Sequence, residues 1–238
     1  MPQAAKPGLP RFINEISTMK HLIPILLLFA PLLAGAQESD TAEFIRPPYL
    51  HRGDTVGIVS PAGKLPLNTD TAKIRERFAS WGLHVKFGVH CADREQPYFA
   101  GTDEERAADL QAMIDDPSVK AVIACRGGYG SVRLLPLADL AQLREEPKWV
   151  VGFSDITMLH LALRKLRIES IHGQMPAGFL FDEGTEDPSA ESLREALFGL
   201  TRRIDTPPHP LNRPGRATGR LAGGNLAVIC AATGTPEE

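Results

Sequence analysis

Short apolar segments alternate with amphipathic segments along residues 45–175. The apolar segments predict four strands, at 55–60, 83–87, 120–125 and 149–152. The amphipathic segments predict helices at 69–81, from a capping box at Thr102, from Ser131, and from an N-cap at Ser154 or Asp155 to 167. The 120–125 segment is continuously apolar after its first residue, which is typical of a strand buried on both faces. This alternation predicts a doubly wound α/β domain with a mostly parallel sheet at 45–175.

Residues 176–215 have a different composition, because six prolines fall within them. One helix fits there, with Pro188 at its first position and Gly199 at its end, and the rest predicts a linker. Residues 216–235 then predict a short strand, a glycine turn and an apolar helix. One strand and one helix cannot bury their own apolar faces. We therefore interpret residues 216–238 as the beginning of a truncated second domain.

The first 36 residues have the pattern of a secretory signal peptide. Met19, Lys20 and His21 open a basic region, an apolar run follows at 22–33, and Ala34-Gly35-Ala36 matches a small-x-small cleavage site. The run is too short to span a bilayer, and no cysteine follows the cleavage site to carry a lipid. We therefore expect an N-terminal extension and signal peptide at 1–36, cleavage near Ala36, a periplasmic location and no stable membrane anchor.

Charge and cysteine content exclude two further classes of function. The formal net charge is −3 and no Lys/Arg cluster occurs, so nucleic acid is not an expected partner. The three cysteines, Cys91, Cys125 and Cys230, lack the spacing of metal ligands. The sequence therefore predicts no metal site.

A glycine-rich loop follows the strand predicted at 120–125, where open parallel sheets bind ligands. Its sequence is Arg126-Gly127-Gly128-Tyr129-Gly130-Ser131. The glycines permit a sharp turn and a close approach to a ligand, and Ser131 begins the next predicted helix, where free N–H groups favour negative charge. This is the layout of a nucleophile elbow. The alternative is a phosphate loop, or a plain turn with Ser131 as the N-cap.

Further segments accompany this loop in a fixed order. They are Gly53-Asp54-Thr55-Val56-Gly57-Ile58-Val59-Ser60-Pro61-Ala62, Phe99-Ala100-Gly101-Thr102-Asp103-Glu104-Glu105-Arg106, Gly152-Phe153-Ser154-Asp155-Ile156-Thr157, Ile171-His172-Gly173 and Gly219-Arg220-Leu221-Ala222-Gly223-Gly224-Asn225-Leu226. Together they resemble the LD-carboxypeptidase (muramoyltetrapeptide carboxypeptidase) family over residues 46–236.

The resemblance implies a serine peptidase that removes the terminal D-alanine from the tetrapeptide stem of a muropeptide or peptidoglycan, without a cofactor. On this resemblance we expect Ser131 to be the nucleophile. The N–H groups of Val132 and, more weakly, Gly128 would stabilise the oxyanion. Arg126 would hold a substrate carboxylate, with a supporting salt bridge as the alternative, and Tyr129 would contact substrate. Ser60-Pro61-Ala62 would wall the pocket or form a plain turn.

In the family the base is a histidine oriented by a glutamate, both beyond the Gly-Gly-Asn-Leu segment and outside this chain. We therefore expect this chain alone to be inactive, and we interpret His160 and His172 as structural or pocket-lining residues. Three other hypotheses stay open. The chain could be a catalytically inactive fragment or binding module of the same fold, or a related serine peptidase with another substrate, such as a peptide-antibiotic immunity enzyme. The third hypothesis concerns assembly, since the protein could form a homodimer.

Overall fold

The computed structural model describes residues 43–66, 68–92, 96–182, 185–200 and 203–236. The predicted signal peptide at 1–36 lies outside these ranges. Among the described residues, no helix combines the length and the apolar character needed to cross a membrane.

A five-stranded sheet forms the centre of the structure, and every pair of neighbouring strands is parallel. The strands are β1 (Thr55–Val59), β2 (His84–Phe87), β3 (Val119–Ala124), β4 (Trp149–Gly152) and β5 (Ile171–His172). Their order is β2-β1-β3-β4-β5. The chain therefore places β2 on one side of β1 and then adds β3, β4 and β5 in sequence on the other side. The four predicted strands are confirmed. β5 was not predicted.

Five α-helices accompany the sheet in the described ranges: α1 (Thr71–Ser80), α2 (Asp103–Asp115), α3 (Thr157–Lys165), α4 (Pro188–Leu197) and α5 (Leu226–Ala232). The capping box predicted at α2 is present, with the Thr102 hydroxyl accepting from the Glu105 N–H and the Glu105 carboxylate accepting from the Thr102 N–H. Asp70 caps α1, because its side chain accepts hydrogen bonds from N–H groups in the first turn of that helix.

Two apolar cores cover the two faces of the sheet, because alternate strand residues point to opposite sides. Ile123 of β3 and Val151 of β4 join the core formed by α1 and α4. Their neighbours Val122 and Val150 join the core formed by α2 and α3. The doubly wound α/β prediction is therefore confirmed.

Helix α4 belongs to this domain, although the sequence placed it within a linker. Its residues Ala190, Leu193 and Leu197 are buried in the same core as Phe78 of α1. Residues 203–225, which include the last part of the predicted linker at 176–215, lack helices and strands and are exposed. The strand predicted after residue 216 is absent from this described range, so that expectation was wrong.

The helix predicted from Ser131 also differs in form. The chain makes a short 3₁₀ helix at Ser131–Leu134 and a second one at Leu140–Arg144, with turns between them. A single 3₁₀ turn has few aligned peptide dipoles. The helix-dipole argument for charge stabilisation at Ser131 therefore loses most of its basis.

The burial of α4 predicts the effect of a substitution. Leu193 is 2% exposed, so Leu193→Ala should lower the free energy of unfolding by about 2–5 kcal/mol through lost burial and a residual cavity. Leu221 is 99% exposed, and Leu221→Ala should change it by less than about 0.5 kcal/mol. Urea unfolding of both variants is the measurement. Equal stability of the two variants would contradict the placement of α4 in the core.

Candidate active site

Three loops converge at the carboxyl ends of β1, β3 and β4. They are residues 60–63, 126–130 and 153–155. The Gly63 N–H donates to the Gly127 carbonyl at 3.2 Å, which joins the first loop to the second. A Cβ placed on Gly127 would lie 3.2 Å from the Ser154 Cβ, so the second loop touches the third. We use the name crevice for the region that these three loops border. The strand order reverses there, between β1 and β3, which is the usual ligand position in open α/β sheets.

Ser154 occupies the centre of the third loop in a left-handed backbone conformation, with φ of 62°. A non-glycine residue seldom adopts this conformation unless its surroundings impose it. The residue follows β4 directly and begins a 3₁₀ turn, Ser154–Ile156, that leads into α3. Its side chain is half-buried. A strand, a sharp turn with a left-handed serine and a helix together have the layout of a nucleophile elbow.

Gly152 explains why the chain can turn so tightly at this point. A Cβ on Gly152 would lie 2.8 Å from Cγ1 of Ile156, on the far side of the turn. The close return of the chain over the end of β4 therefore requires a glycine two residues before Ser154. The Gly-x-Ser spacing is the first half of the usual elbow motif.

Ser131 has a different environment. Its side chain is fully buried, and its hydroxyl donates to the Asp155 carbonyl oxygen at 2.7 Å. Its N–H donates to Oδ2 of Asp155 at 2.9 Å. A nucleophile must reach its substrate, and a buried hydroxyl committed to a backbone acceptor does not. These contacts oppose the prediction that Ser131 is the nucleophile. They also oppose the prediction that the Val132 N–H donates to the oxyanion, because that prediction depends on Ser131.

The other predicted site residues lie around the crevice. Gly128 is exposed with φ of 131°, and the Tyr98 hydroxyl occupies the space that a Cβ would need there. Arg126 is exposed, and its side chain passes 3.7 Å from a Cβ placed on Gly63. Tyr129 is more than half exposed. Gly128 and Arg126 therefore belong to the loop that contacts Ser154, a serine for which the sequence predicted a capping role.

Asp155 does not cap the following helix, so that expectation was wrong. The N-cap position of α3 is Ile156, which makes no side-chain cap. The Asp155 carboxylate turns away to accept the Ser131 N–H across 24 residues of sequence. Asp155 is itself buried, and this hydrogen bond partners its carboxylate.

The two histidines near β4 have structural positions. His160 is buried, its Nε2 lies 2.9 Å from the Gly152 carbonyl and its Nδ1 lies 2.8 Å from the Ser170 hydroxyl. The carbonyl accepts only, so Nε2 carries the proton. Burial lowers the pKa of His160 and keeps the ring neutral. His172 is exposed, and its ring contacts those of His160 and Phe153.

Buried polar groups support the first of the three loops, at residues 60–63. Arg106 is fully buried, stacks on Phe99 with 4.5 Å to the ring centroid, and donates to the Pro61 carbonyl at 2.5 Å. Ser60 donates to the Cys91 carbonyl at 2.8 Å and lies 2.8 Å from the Cys125 sulfur. The described part of the chain contains no group of three His, Cys, Asp or Glu side chains placed to hold a metal ion.

These observations define a class of protein, an α/β protein with an elbow-like strand–serine–helix turn at the carboxyl edge of its parallel sheet. Residues 56–173 match the family model described as the LD-carboxypeptidase N-terminal domain. The chain belongs to the LD-carboxypeptidase family. The elbow serine lies within the matched residues.

Relatives agree with this membership. A Streptomyces coelicolor protein is 42% identical over 200 residues, covering 82% of this chain and 63% of the relative. The murein tetrapeptide carboxypeptidase of Pseudomonas aeruginosa is 30% identical, covering 76% and 60%. The crystal structure of a muramoyltetrapeptide carboxypeptidase from Oxalobacter formigenes superposes with a TM-score of 0.63 at 29% identity, covering 77% and 61%. The chain thus spans about three fifths of the length of these relatives.

Proposed function

We propose that the protein is a serine-type LD-carboxypeptidase that removes the terminal D-alanine from muropeptide tetrapeptide stems, with Ser154 as its nucleophile. The observation that carries the proposal is the left-handed backbone of the half-buried Ser154 at the end of β4, where three loops meet. The names of the Pseudomonas aeruginosa and Oxalobacter formigenes relatives support the choice of substrate.

The chemistry is acyl transfer. The Ser154 Oγ attacks the carbonyl of the scissile amide, a base accepts its proton, and the carbonyl electrons move onto the oxygen. The Asp155 N–H, on the residue after the nucleophile, and N–H groups of the neighbouring loop at Gly127 and Gly128 donate to this oxyanion. Protonation of the leaving nitrogen releases D-alanine and leaves an ester on Ser154, which water then hydrolyses.

The base and its orienting carboxylate are the histidine and glutamate that the family resemblance places after the segment 219–226. His160 is unsuited to the role because both of its ring nitrogens are engaged and its pKa is lowered by burial. The same nucleophile would also serve an immunity enzyme of this fold. The two hypotheses are separated by substrate, since only the first requires D-alanine release from tetrapeptide.

Arg126 is the residue we propose for the carboxylate of the terminal D-alanine. A carboxypeptidase recognises a free carboxylate, and the planar guanidinium matches it with two parallel hydrogen bonds. Arg126 precedes the glycine loop and is exposed at the crevice. We place Tyr129, exposed on the same loop, against the rest of the stem peptide.

The nucleophile is tested by Ser154→Ala in the full-length protein. We expect kcat for D-alanine release from tetrapeptide to fall by at least about a thousandfold, because no covalent intermediate can form. Chromatographic detection of D-alanine is the measurement, and circular dichroism should show an unchanged fold. Activity within a few-fold of the unmodified protein would exclude Ser154.

The substrate contact is tested by Arg126→Met. Loss of a charged hydrogen-bond donor should raise KM by about tenfold to a hundredfold, with a smaller change in kcat. Arg52→Met is the matched control, since Arg52 is exposed just before β1, at the opposite end of the sheet. A KM that does not respond to Arg126→Met would assign Arg126 a supporting role in the loop instead.

We also propose export, with cleavage after Ala36. The support is the ordered basic region, apolar run and small-residue site at 19–36. The expected result is a mature protein that begins at Gln37. The mass of the N-terminal peptide from periplasmic and cytoplasmic fractions checks this, and an intact N-terminus found only in the cytoplasm would refute it.

A further inference from the structure

The separation of two loops sets the geometry of the proposed oxyanion site. One donor belongs to the elbow, at the Asp155 N–H, and the others belong to the loop at 126–130. The loops touch, since a Cβ on Gly127 would lie 3.2 Å from that of Ser154. A small shift of one loop against the other would therefore change every donor distance to the developing negative charge.

The loop at 126–130 is attached at both ends. It begins at the end of β3, where the Cys125 N–H donates to the Val59 carbonyl at 2.7 Å. It ends at Gly130, whose φ of 120° turns the chain into Ser131. The first attachment belongs to the sheet itself, and the Gly63 N–H bond to the Gly127 carbonyl joins the middle of the loop to the loop at 60–63. The second attachment is the one that joins the glycine loop to the elbow.

Ser131 makes the second attachment with two hydrogen bonds to one residue. Its N–H donates to Oδ2 of Asp155 at 2.9 Å and its hydroxyl donates to the Asp155 carbonyl at 2.7 Å. Ser131 is fully buried and Asp155 nearly so, so water does not compete for these bonds. Asp155 directly follows the proposed nucleophile, and its backbone is part of the elbow.

We propose that Ser131 is a positioning residue, which fixes the glycine loop at 126–130 to the elbow so that the oxyanion donors of both loops converge. The role deepens the proposed function and rests on it, because it requires Ser154 to be the nucleophile. Ser131 does not touch the substrate. It acts through Asp155.

The test uses Ser131→Ala and Ser131→Cys in the full-length protein, assayed for D-alanine release. Both variants keep the N–H bond to the Asp155 carboxylate and remove or weaken the hydroxyl bond. The alanine side chain is smaller than that of serine and the cysteine side chain is larger, so a defect shared by both folded variants follows the lost hydroxyl bond and not a change in packing. Ser80→Ala is the matched control, since the Ser80 hydroxyl also donates to a backbone carbonyl at 2.7 Å, but at the exposed end of α1.

A positioning role predicts a fall in kcat of about tenfold to a hundredfold for both Ser131 variants, with KM nearly unchanged. Affinity for a phosphonate analogue of the tetrahedral intermediate should fall by the same factor as kcat/KM, which a purely structural role would not produce. Ser80→Ala should leave all three quantities unchanged.

Two results overturn the inference in different ways. If folded Ser131→Cys has the kcat and phosphonate affinity of the unmodified protein while Ser154→Ala is inactive, the positioning role fails and the proposed function stands. If Ser154→Ala retains activity and the Ser131 variants lose it completely, the proposed nucleophile itself is wrong. A selective loss of kcat and phosphonate affinity in the Ser131 variants, with Ser154→Ala inactive, supports both proposals.

Discussion

The left-handed backbone of Ser154 is the constraint on which the rest of the site depends. A serine in this conformation costs about 1–3 kcal/mol and persists only where its surroundings enforce it. Here β4 is held between β3 and β5, and Ile156 closes over Gly152. Ser131 binds both the carbonyl and the carboxylate of Asp155. These contacts hold the side chain of Ser154 at the crevice.

The parallel sheet supplies the rigid frame for this arrangement. The three loops of the crevice come from three strands whose pairing is fixed by buried apolar faces on both sides. His160 adds a hydrogen bond to this frame, because its Nε2 donates to the Gly152 carbonyl just before the elbow. Nε2 is the donor of this bond because the Gly152 carbonyl can only accept.

Sequence patterns predicted the elements that have a local physical cause. The continuous apolar run of β3 and the capping box of α2 are such cases, and both are confirmed. β5 was missed because a strand of two residues has no periodicity to detect. The helix after Gly130 was expected to be an α-helix, but residues 131–134 make only a 3₁₀ turn. The burial of α4 depends on contacts with distant segments, which its composition does not reveal.

The sequence pattern also does not distinguish the two candidate nucleophiles, because Ser131 and Ser154 both follow a buried strand and precede a helical turn. The glycine loop and the family resemblance favoured Ser131 in the sequence. The differences that favour Ser154 in our proposal are burial, hydrogen bonding and φ, which only the fold provides. The most direct measurement is to label the active full-length protein with a fluorophosphonate, digest it and sequence the modified peptide by mass spectrometry. The account predicts a single adduct on Ser154. An adduct on Ser131, with Ser154 unmodified, would contradict it.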